Sequence, residues 1–85
     1  MPYITKAERV LLHEGAQAIN AGHLNYQLSM IVDEYLFEHG VSYASLNDVM
    51  GVLACMQQEI YRRIAAPLEN SKIEQNGDVF TCLEQ

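Results

Sequence analysis

Eighty-five residues of net charge −6 make one domain, since domains usually run to about 100–150 residues. A chain this short buries only about 60–65% of its unfolded surface, so its core is thin. Apolar residues make up 49% and charged residues 19%, a balance that excludes disorder. The acidic excess argues against non-specific nucleic-acid binding, because neutralising a phosphate backbone takes clustered cations. Small helical chains offset a thin core by self-association, so a homo-oligomer is expected.

The N-terminal "MPYITKAERV" lacks the charged and apolar regions of a signal peptide, and no apolar run approaches a membrane span. Thr5 and Glu8 form a T-x-x-E capping box. Ala7, Val10, Leu11, Ala18 and Ile19 follow at helical spacing, so a first helix is expected over about 6–20, weakened at Gly15. "NAG" at 20–22 reads as its stop, with Gly22 as the left-handed residue after the cap.

A second helix reads "HLNYQLSMIVDEYLFEH", with Leu24, Leu28, Ile31, Val32, Tyr35 and Leu36 as its apolar stripe and Gly40 as its end. Asp33, Glu34 and Glu38 lie opposite that stripe and read as a solvated face. Ser45 and Asp48 suggest a capping box for a third helix, whose core face is Leu46, Val49, Met50, Leu53, Ile60 and Ile64. Pro67 is expected to end it near Ala65 or Ala66 and to open a short fourth helix, closed by Asn76-Gly77. "DVFTCLEQ" is left as a tail. The fold expected is all-α: a small antiparallel bundle of three helices plus a short C-terminal helix, one domain over 1–85. Helices two and three are its central hairpin and the surface through which copies associate.

"MPYI", "NAGHLNY", "GVSYASLNDVMGVLAC" and "EIYRRIAAPLENSKIEQNGDVF" together resemble a family of short bacteriophage-encoded proteins. The resemblance covers most of the chain in order and spacing, with Ala54 where that family has Glu, and Leu68 and Phe80 where it has Tyr. It implies a phage origin, hence the cytoplasm of an infected bacterium, and no reaction.

Arg62, Arg63 and Lys72 are three of only five cations in the chain. The plain role of the arginines is to complement the helix dipole, with Glu59 and Arg63 as an i, i+4 ion pair. The sharper role makes Arg62 and Lys72 a clamp for a small anion, with Tyr61 as a stacking face. Asn76-Gly77-Asp78 is a helix stop on the plain reading and an anion-accepting turn on the sharper one. Asn25 and Asn47 are helix-packing residues or, alternatively, base-edge or ribose contacts together with Gln58. Asn47, Gly51, Ala54 and Gln58 share a side of helix three, where the small Gly51 and Ala54 suit close helix packing.

His13, His23 and His39 lack helical metal spacing, so no metal is expected. Cys55 and Cys82 form no C-x-x-C motif; a reduced setting is expected, and a disulfide between them stays open. No catalytic set and no cofactor are expected. Two functions remain: a non-enzymatic binder of a small nucleotide-type anion, acting as a sponge for a host immune signal, or an acidic adaptor that inhibits a host protein.

Overall fold

Three capped starts and three glycine stops divide the chain into helices. A computed structural model describes residues 1–84, all helix and connecting loop. In chain order these are α1 (Lys6–His13), α2 (Ala21–His39), α3 (Tyr43–Ile60), a π-helical turn (Tyr61–Ala65), α4 (Ala66–Asn76) and a 3-10 turn (Thr81–Glu84). The all-α class is as expected. Two units divide the chain, Met1–Val49 and Met50–Gln85.

In the first unit α1 packs on α2. The Thr5–Glu8 box forms as expected, with the Thr5 hydroxyl accepting from the Glu8 N–H and the Glu8 carboxylate accepting from the Thr5 N–H. The helix ends eight residues on, well short of residue 20. Gly15 takes φ +98, its N–H donates to the Leu12 carbonyl, and the Ala16 N–H reaches back to Leu11. That is a Schellman stop, in which only glycine holds the left-handed backbone cheaply. Gly15 therefore terminates α1.

"NAG" accordingly opens a helix instead of closing one. Asn20 is extended, and its side-chain oxygen accepts from the His23 N–H at 2.9 Å, the N-cap geometry that asparagine favours. Gly22 falls in the first turn of α2, where a Cβ would meet Ile4 Cγ2 at 3.3 Å; its bare backbone lets the N-terminal segment approach. Gly40, at φ +81, follows the last residue of α2.

The cap of α3 also differs from expectation. Ser42 accepts from the Ser45 N–H while the Ser45 hydroxyl accepts from the Ser42 N–H. Ser45 is buried, and its hydroxyl donates to the Gly40 carbonyl at 2.7 Å. Ser42 thus occupies the capping position expected of Ser45, and the helix starts at Tyr43.

A fourth helix, α4, opens at Ala66 with Pro67 in its first turn, as expected, but the backbone runs on helically through the junction without a break. A proline inside a helix removes one hydrogen bond and crowds the carbonyl four residues back, here Arg63. The backbone widens just before it: the Ala66 N–H bonds to Tyr61, five residues back, and helix resumes at once. Asn76 is the last residue of α4, and Gly77 at φ +87 stops it as expected.

Few side chains are buried. Leu12 is the buried apolar residue, with the polar His23 and Ser45 beside it in that class. Ile31 on α2 and Met50, Ile60 and Ile64 in the second unit, all assigned to a core by periodicity, are exposed. Helices with uncovered apolar stripes draw little stability from packing within one chain.

Candidate functional site

The expected anion site lies in the second unit. Tyr61, Arg62 and Arg63 form most of the π-turn, and all three are exposed. Arg62 Nη2 lies 3.0 and 2.9 Å from the two carboxylate oxygens of Glu59, three residues earlier. The expected partner of Glu59 was Arg63, at i+4. Arg63 makes no ion pair or side-chain hydrogen bond among the described residues. Gln57, Gln58, Glu59, Tyr61 and Arg62 line a shallow, open concavity on this stretch.

Lys72 and the Asn76-Gly77-Asp78 turn, expected ligand residues of the same unit, are not gathered around it. Lys72 lies ten residues further along the helical backbone, about 15 Å at 1.5 Å per residue. Arg62 turns the other way, toward Glu59. The Asn76-Gly77-Asp78 turn spends its polar groups internally: the Gly77 N–H donates to Ile73, and the Asp78 carboxylate accepts from the Phe80 N–H. Asn25 and Asn47 belong to the first unit, on α2 and α3, both exposed, with Asn25 accepting from the Ser29 hydroxyl at 3.1 Å.

Periodicity did not reveal the polar lock of the first unit. His23 is 8% exposed. Its Nε2 lies 2.6 Å from the Glu8 carboxylate across the α1–α2 boundary, and its Nδ1 accepts from the Ile19 N–H at 3.4 Å. Those partners put the proton on Nε2. The His23 hydrogen bond, then those from the Thr5 hydroxyl and backbone N–H, hold the Glu8 carboxyl below its ordinary value against a small opposing effect of burial. One turn on, the His13 ring meets the Tyr26 hydroxyl at 2.7 Å, and the Arg9 guanidinium sits 5.7 Å from the Tyr26 ring centre. Arg9 also donates to the Ile4 carbonyl, tying down the N-terminal segment. The signal was the coincidence of two caps: Glu8 is the third helical residue of α1 and His23 the third of α2. The roles of Glu8 and His23 are structural, since both carboxylate oxygens and both ring nitrogens have internal partners.

Among the described residues no three His, Cys, Asp or Glu side chains gather as a metal site. Cys55 and Cys82 are free and exposed. No helix of the described residues is long and apolar enough to cross a membrane.

These features define a small all-helical protein with one internal polar lock and an open cationic turn. The chain belongs to the family described as Domain of unknown function (DUF6899), whose model matches residues 1–79. No curated protein and no solved structure matches it.

Proposed function

We propose that this protein is a non-enzymatic, phage-encoded binding protein that takes a small nucleotide-type anion at the π-turn. One observation carries the reading: the Arg62 guanidinium already holds both oxygens of an oxyanion, the Glu59 carboxylate, in an open concavity beside Tyr61. Only Nη2 makes those contacts, so the other guanidinium N–H groups remain to complete the two-nitrogen fork that suits phosphate as well as carboxylate. Glu59 stands where a ligand phosphate would sit, and Tyr61 offers a base a stacking face. Arg63, beside it and without an ion pair among the described residues, adds charge. Sequestration of a host signalling nucleotide is the role such a binder would fill in an infected bacterium, self-associated through its exposed helix faces.

Titration calorimetry against cyclic and linear nucleotides tests this. Arg62→Ala is expected to weaken binding at least tenfold, from loss of a charge-assisted pair worth about 1.5–3 kcal/mol. Glu59→Gln is expected to tighten it by freeing the guanidinium. Flat traces across the panel would overturn the reading. The exposed Asp33, Glu34 and Glu38 on α2 favour a second one, an acidic adaptor for a basic groove on a host protein. Arg62→Ala would leave that activity intact.

A further inference from the structure

The second unit is a helical segment with no buried side chain among its described residues. Leu53, Met56, Ile60, Ile64 and Leu68 nonetheless recur along it at spacings of three and four, and their exposures run from 39% at Leu53 to 65% at Ile64. A continuous coiled-coil seam after Ile60 would fall on residues 63 and 67, which are Arg and Pro. The apolar residues come one position late, at 64 and 68. The single π-turn of the chain's described residues lies at 61–65. Such a turn takes up one extra residue, so it returns Ile64 and Leu68 to the side that carries Leu53, Met56 and Ile60. Pro67 forces the widening, and the widening keeps the seam straight.

We infer that this seam is where a second copy of the chain docks, antiparallel, with the two π-turns crossing at the two-fold axis. In antiparallel pairing the two kinds of seam position face each other across the interface. Pairing Ile60 with the partner's Ile64 also sets Met56 against the partner's Leu68 and Leu53 against the partner's Ser71. Three observations favour a like chain as the occupant. First, residues 50–76 carry three acids, Glu59, Glu69 and Glu74, and three bases, Arg62, Arg63 and Lys72. They are neutral in a chain of charge −6, so copies meet here without the repulsion they would meet elsewhere. Second, this register brings Glu59 on one flank of the seam beside the partner's Arg63, twice over by symmetry, and Arg63 is the arginine of the turn left without an ion pair. Third, the seam with its flanking Val52 and Tyr61 presents seven apolar side chains, each 39–65% exposed, as one strip that an identical strip can cover. The pairing stands whether or not an anion binds at Arg62, because it uses the seam and Arg63.

Sedimentation of the full chain at tens of micromolar tests the inference. The protein is expected to run as a dimer or an even-numbered assembly, and a monomer would overturn it. Arg63→Glu and Glu59→Arg each place like charges across the two-fold, and each alone is expected to weaken association at least tenfold. Mixed in equal amounts the two variants restore both cross-chain pairs, while each chain keeps its own internal repulsion. Recovery of the wild-type sedimentation coefficient on mixing supports the antiparallel register. A mixture that stays as dissociated as its components would overturn it, even with the wild type dimeric.

Discussion

Leu12→Ala is expected to destabilise the first unit by about 2–3 kcal/mol, read as a lower denaturant midpoint in urea followed by helical ellipticity. Leu12 is 9% exposed and is the buried apolar side chain of the α1–α2 contact. Removing a buried leucine side chain loses its transfer free energy and leaves a cavity, together 2–5 kcal/mol in well-packed cores. The lower part of that range applies because a shallow contact can collapse onto the gap. Leu12→Met, which conserves volume, is expected to cost below about 1.5 kcal/mol. A shift under about 0.5 kcal/mol for the alanine variant, typical of surface positions, would mean that α1 contributes little to holding α2.

Helix identity was legible along the chain because it follows from spacing, which is local. The helical character of α2 and its end at Gly40 follow from residues within a few positions of one another, although most of its apolar stripe is exposed. So were the Thr5–Glu8 box and the stop at Gly77. Errors fell where two local devices competed for one residue type. Gly15 can weaken a helix or end one, and the chain supplied the Ala16 N–H and Leu11 carbonyl that make it an end. Asn20 can follow a helix or cap the next, and its hydrogen bond to the His23 N–H decides for the cap. Ser42 and Ser45 both offer a capping hydroxyl, and burial against the Gly40 carbonyl settles their roles.

Pro67 misled for a different reason. A break and a widened turn both relieve its clash, and the lateness of Ile64 and Leu68 by one residue was the mark of the widened turn. The candidate site was legible as a composition of cations and hardly as geometry. Two arginines side by side do not say which one Glu59 will take, since i+3 and i+4 are both within reach. Arg62 took it, and Arg63 was left to face outward. Lys72 and the turn at Asn76 were close in sequence terms only; on one helical axis ten residues are a long way. The Glu8–His23 contact joins residues from two helices, and no spacing rule spans that gap.

Acidification is expected to loosen the α1–α2 lock through Glu8. In the folded chain the His23 and Thr5 hydrogen bonds hold the Glu8 carboxyl below its ordinary value of about 4.5. A carboxylate whose folded value is depressed contributes stability that is complete above the unfolded value and disappears as pH falls through the folded one. The loss therefore falls in the acid range, below about pH 4.5. Glu8→Gln removes the charge and its preference for the His23 N–H while keeping a side chain that can still complete the capping box. The variant is expected to be less stable than the parent at pH 7. Below about pH 4.5 its denaturant midpoint should fall less steeply with acidification than the parent's. As pH falls through the depressed folded value, the parent loses the carboxylate's contribution and the two curves should converge. Parallel curves across the whole range would show that Glu8 is held no differently in the folded chain than in the unfolded one, and that His23 is buried for its shape and not for its hydrogen bond.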